Sequence, residues 1–119
     1  MDRNRKAEEQ GAGMYAGLAY LAKERGLDEI AEVLLKISLD EARHAGLYAV
    51  LNGHTNEDIF EVIKKYAPGE KNAYEMLNQF ASHVRDIGLD DAANHIKNIA
   101  SDELRHSELL SNLINKGSK

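Results

Sequence analysis

Two copies of Glu-x-x-His stand in this 119-residue chain, Glu41–His44 and Glu103–His106. Each has another glutamate 33 residues upstream, Glu8 and Glu70. On a helix, residues three apart share a face, so each Glu–His pair projects the same way. Reading the chain at the 3–4 spacing of a buried helical face gives Ile30, Leu34, Ile37, Glu41, His44, Tyr48 and Leu51 in one segment. It gives Ala92, Ile96, Ile99, Glu103, His106, Leu110 and Leu113 in another. Two further seams hold Glu8, Gly11, Tyr15, Leu18 and Ala22, and then Tyr66, Glu70, Ala73, Leu77, Phe80, Val84 and Ile87. Four carboxylates and two imidazoles therefore interrupt otherwise apolar seams.

An isolated buried carboxylate costs several kcal/mol unless it is paired or neutralised. No Lys or Arg lies on these seams. Two divalent ions would set +4 against the four carboxylates and take the formal chain charge from −5 to about −1. Carboxylate oxygen combined with imidazole nitrogen suits iron or manganese, and zinc can bind there too. Glu8, Glu41, His44, Glu70, Glu103 and His106 are thus candidate ligands of a dinuclear centre, the donor set of carboxylate-bridged dimetal four-helix bundles. One Glu-x-x-His alone would read better as a solvated or locally paired couple at a helix end. Two copies, each with its upstream glutamate, favour the metal.

The elements that must carry these residues are repeated. Glu8–Leu47 aligns without a gap onto Glu70–Leu109, with 13 of 40 positions identical, among them Asp-Glu-x-Arg-His in register. Each half reads as two helices broken at a glycine, Gly26 or Gly88, where a helix C-terminus takes a positive φ. Asp28-Glu29 and Asp90-Asp91 follow, suited to the positive end of the next helix dipole. The expected helices span about residues 4–25, 27–52, 68–87 and 89–115. Between the halves, Thr55–Asp58 resembles a capping box, giving a short helix over Asn56–Lys65 that Pro68-Gly69 breaks. No segment shows strand alternation. The expectation is a single all-α domain over residues 1–119, a four-helix bundle of two repeated helix pairs joined by a crossover connection.

Composition removes other classes. The chain has no cysteine, which excludes disulfides, zinc ribbons, cysteine-ligated iron–sulfur or rubredoxin-type centres and a thiol nucleophile within it. Twenty acidic against fifteen basic residues argue against a nucleic-acid binder. No apolar run approaches the roughly 20 residues that span a membrane. Met1–Gln10 is charged and has no apolar signal core, so the cytoplasm is the expected location.

The chain resembles the ferritin-like di-iron proteins, most closely the rubrerythrins, from about Lys6 to Leu113. The resemblance is carried by Ala-Glu8-Glu-Gln leading to Tyr15, by Gly26-Leu-Asp-Glu-Ile-Ala and by Asp-Glu41-Ala-Arg-His44-Ala. Pro-Gly-Glu70 and Asp-Glu103-Leu-Arg-His106 carry it in the second half. It implies that Glu41 and Glu103 bridge two metals, that Glu8 and Glu70 are terminal carboxylates, and that His44 and His106 are terminal imidazoles. It also implies reduction of hydrogen peroxide or dioxygen. Two features depart from the family. Ala73 stands where typical rubrerythrins carry an additional ligand glutamate, which puts their redox-linked ligand exchange in doubt. The usual rubredoxin domain is missing, so electrons are expected from a separate donor of rubredoxin type. A ferritin-like iron oxidation and storage role is the rival reading, and a structural bundle with an incidental metal is a third.

Several residues near the motifs have two readings. Asp40 and Asp102 either orient the histidines, as the similar motif of related di-iron oxidases implies, or pair with Arg43 and Arg105 at the surface. Tyr15 lies on the Glu8 seam where the family has a tyrosine hydrogen-bonded near the metals; core packing is the alternative. Gly11, Gly13 and Gly17 each cost about 0.5–1 kcal/mol in a helix relative to alanine. A close helix approach or small-molecule access would explain them. His54, His83 and His95 lie off the seams. Tyr20, Leu21 and Tyr48 are candidates for an oligomer surface. A homodimer is expected, in which helix pairs could be exchanged between chains.

Overall fold

The two glycine breaks divide the chain as their spacing implies. In the computed structural model, which describes residues 2–53, 55 and 58–117, α1 spans Asp2–Glu24, α2 Asp28–Leu51, α3 Ile59–Asp86 and α4 Asp90–Gly117. No strand occurs among the described residues. Helix α1 packs on α2, and α3 on α4. Met1–Asn56 and Glu57–Lys119 are each a compact unit, so the fold is built of two helical hairpins.

Each hairpin turn is made by its glycine. Gly26 has φ 75° and Gly88 φ 88°, the left-handed region that a Cβ disfavours. Gly26 N–H donates to the Lys23 carbonyl at 3.1 Å and Leu27 N–H to the Ala22 carbonyl at 2.9 Å. In the second unit Gly88 N–H donates to Arg85 at 2.9 Å and Leu89 N–H to Val84 at 3.1 Å. Both are Schellman closures, which satisfy carbonyls that the helix end leaves open. Asp28 and Glu29, and Asp90 and Asp91, open the following helices, as expected from the dipole.

Inside each hairpin the contact is made by small residues. Ala19 and Ala22 of α1 are buried with Ala31, Ser38 and Ala45 of α2. Ala67, Ala81 and Val84 of α3 are buried with Ala93 and Ala100 of α4. The large members of the expected seams are not these contacts: Leu18, Ile30, Leu51, Phe80, Ile87 and Ile99 are 42–73% exposed. Two helices bury only one narrow strip between them, and here that strip is mostly alanine. The bulky apolar side chains lie on the neighbouring strip and need a second layer to be covered.

The segment before Glu70 corrects the sequence reading. In place of a short helix broken at Pro68-Gly69, α3 runs unbroken from Ile59 through Pro68. Asp58 caps it, its carboxylate accepting from Glu61 N–H at 3.1 Å. Proline inside a helix removes one backbone bond and costs roughly 3 kcal/mol. The 28-residue α3 packs along an α4 of the same length, and that packing outweighs the local penalty. Within the proposed capping box, Asn56 and Glu57 lie outside the described residues, as does His54. His83 and His95 are exposed as expected.

Candidate metal centre

Each hairpin assembles one glutamate from its first helix with a Glu–His pair from its second. In the first unit, α1 supplies Glu8 and α2 supplies Glu41 and His44. His44 Nδ1 stands 3.5 Å from Glu8 Oε2. The Glu41 carboxyl lies against that of Glu8, and a hydrogen bond between two carboxyls needs one of them protonated. That bond from Glu8 raises the Glu41 pKa above its ordinary value. Desolvation and the Glu8 charge add to the rise, and His44 opposes it. The second unit repeats the arrangement. His106 Nδ1 stands 3.6 Å from Glu70 Oε2, and the pKa of Glu103 is raised for the same reasons, the Glu70 carboxyl beside it first. Glu70, Glu103 and His106 offer ligand atoms all within 4.8 Å of one another.

The donors fit a metal better than they fit each other. Glu8 Oε2 and Glu70 Oε2 are buried and have no hydrogen-bond partner among the described residues. At 3.5–3.6 Å the imidazole nitrogens are too far for the roughly 2.7–2.9 Å of a strong charge-assisted hydrogen bond. Two donors held about 2.1 Å from one shared ion stand about 3–3.5 Å apart. An orphaned buried oxygen facing an imidazole nitrogen at that spacing is what a ligand pair offers to a cation.

A comparison with protein families then decides the lineage: residues 1–114 match the family model described as Rubrerythrin. The chain belongs to the rubrerythrin family. Rubrerythrins are a di-iron carboxylate family, and this chain carries a candidate carboxylate–histidine cluster. Among similar proteins, an uncharacterised protein of Methanocaldococcus jannaschii is 32% identical over 113 residues, covering 95% of this chain and 80% of that protein. Reverse rubrerythrin-1 of Clostridium acetobutylicum is 29% identical over 105 residues, covering 87% of this chain and 58% of its own length. The rubrerythrin bundle is thus matched over nearly the whole chain, which spans little more than half of the clostridial protein.

The other expected site residues are placed as follows. Asp40 contacts Arg43 at 3.4 Å and Asp102 contacts Arg105 at 3.3 Å, both pairs exposed. Asp102 also adds to the raised pKa of Glu103 through its charge. Tyr15 is half-buried on α1, and its hydroxyl makes no hydrogen bond among the described residues. A residue overlooked in the sequence is Ser38, one turn before Glu41. It is buried, and its hydroxyl donates to the Ala12 carbonyl at 2.7 Å, tying α2 to α1 beside the half-site. The signal was legible: Ala31, Ser38 and Ala45 recur every seven residues, and Ser38 is the polar member of that buried strip.

Proposed function

We propose that this rubrerythrin is a di-iron oxidoreductase that reduces hydrogen peroxide or dioxygen with electrons from an external donor. The observation that carries the reading is the duplicated half-site, a buried unpartnered glutamate oxygen facing an imidazole nitrogen in each hairpin. Glu8, Glu41 and His44 in one hairpin and Glu70, Glu103 and His106 in the other are the residues that would hold the two ions. A bound pair of ferrous ions supplies two electrons at one place, matching the two-electron reduction of a peroxide. Manganese or zinc would fit the same donors without changing their assignment.

The chain's own residues would do the rest. The raised pKa values of Glu41 and Glu103 favour a proton at those carboxyls in the metal-free chain, which a cation held there would displace. With no cysteine among the 119 residues, a thiolate-held electron relay is absent from this sequence, and the reductant acts from outside it. A protein of rubredoxin type is the expected donor.

Aerobic iron loading tests the assignment. Iron retained should plateau near two per chain, with peroxide consumption continuing only while a reductant is added. Oxidation and retention far beyond two per chain would overturn this reading in favour of iron storage. Glu41→Ala and Glu103→Ala should each abolish two-metal binding, because each carboxylate is assigned to touch both ions. Two metals per chain in both variants by elemental analysis would refute the ligand assignment.

A further inference from the structure

We propose that Gly11 is a positioning residue for Glu41: its missing side chain makes the seat on α1 that the Glu41 carboxylate occupies. The inference rests on the reading of Glu41 as a metal ligand. A Cβ built at Gly11 would lie 2.7 Å from Glu41 Oε2, 3.0 Å from its Cδ and 3.5 Å from Oε1. All three atoms belong to one carboxylate, so the contact is with the ligating group itself and not with its stem. The other glycines of α1 differ: a Cβ at Gly13 or at Gly17 would meet nothing within 4 Å. Three glycines weaken the same helix, and one of them touches the half-site.

The repeat sharpens the point. Gly11 lies one turn after Glu8, and the matched residue one turn after Glu70 is Ala73. A methyl group stands at that matched position, where the first half has none. The two carboxylates assigned as bridges are therefore not equivalent in what their repeat supplies. Glu41 rests against a position without a side chain, and the position matched to it in the second half carries one. To reach ordinary contact at 3.4 Å, Glu41 Oε2 facing an alanine at position 11 must move by about 0.7 Å, the difference from the 2.7 Å at glycine. The end of a glutamate side chain yields easily, so the hairpin survives the change. The position of the ligand does not.

Three substitutions in the full chain, Gly11→Ala, Gly13→Ala and Gly17→Ala, separate positioning from helix propensity. Cobalt(II) alone is titrated into the metal-free protein, followed by visible absorption, and melting is followed by circular dichroism. All three variants should melt higher than the parent without metal, because alanine favours the helix. Only Gly11→Ala should weaken one phase of cobalt binding, by about tenfold or more as for other residues that orient ligands, and change the cobalt spectrum. Ala73→Gly should melt lower and alter the other phase. Cobalt binding and spectra that match the parent in both Gly11→Ala and Ala73→Gly would overturn the proposal. Loss of helix in Gly11→Ala would also overturn it, because the glycine would then serve the packing of the hairpin. A parent chain that binds no cobalt would sink the ligand reading itself, which the variants do not test.

Discussion

At the scale of single residues, Glu41 and Glu103 carry the chemistry that is easiest to perturb. Each has a raised pKa, caused first by the hydrogen bond to Glu8 or Glu70, then by desolvation and the partner's charge. The folded protein therefore binds more protons than the unfolded chain in the window that begins near 4.5 and ends at the raised values. Stability falls with rising pH wherever the folded state holds the extra proton. These two groups should thus make the metal-free chain less stable as pH rises through that window, the reverse of a salt-bridged carboxylate. Urea denaturation across the window should show this slope, and Glu41→Gln with Glu103→Gln should flatten it. An unchanged slope in the double variant would refute this origin of the pH dependence. The ligand candidates were legible because charge at a seam position is conspicuous. The contact of Gly11 with Glu41 was not, since sequence marks the glycine but not which of three touches a carboxylate.

At the scale of elements, the hairpins follow from short signals. Gly26 and Gly88 with their acidic successors located both turns to within a residue or two, because a Schellman closure has strong local chemistry. The start of α3 was misread because a proline normally ends a helix, and the sequence does not display the length of the partner it packs along. Two substitutions test this. Asp58→Ala should destabilise the second unit by about 1 kcal/mol, the usual loss for an N-cap. Pro68→Ala should stabilise it by about 1–3 kcal/mol, restoring a backbone bond inside α3. A lower melting temperature for Pro68→Ala would show that the proline is required where it stands. The contacts inside each hairpin were not legible at this scale. Periodicity finds an apolar face, but it does not say whether alanines beside it make the first contact.

At the scale of the whole molecule, the family and the all-α bundle are established over residues 1–114, and none of the helices among the described residues is long and apolar enough to cross a membrane. Tyr20, Leu21 and Leu47 are 71%, 46% and 57% exposed, while Tyr48 is half-buried. Exposed apolar side chains of this kind are candidates for a surface that a second copy covers. We expect at least a dimer. The connection between α2 and α3, residues 52–58, reaches at most about 25 Å, whether it closes within one chain or passes to a neighbour. Light scattering at micromolar concentration should show the dimer, and a monomer would remove both arrangements.

The hydroxyl of Ser38 gives the two hairpins different mechanics. Alanine strips are smooth: with no branching and no rotamers, they do little to stop one helix sliding along its neighbour. In the first hairpin the Ser38 bond to Ala12 acts as a bolt across that smooth rail. The matched residue in the second is Ala100, fully buried and without a hydroxyl; there the tie is the Arg85 guanidinium of α3 donating to Asn94 Oδ1 of α4 at 2.6 Å, close to the turn. Ser38→Ala should accordingly loosen the first hairpin, seen as faster solvent exchange of its backbone amides around position 38. The first hairpin is pinned beside its half-site and the second at its bend.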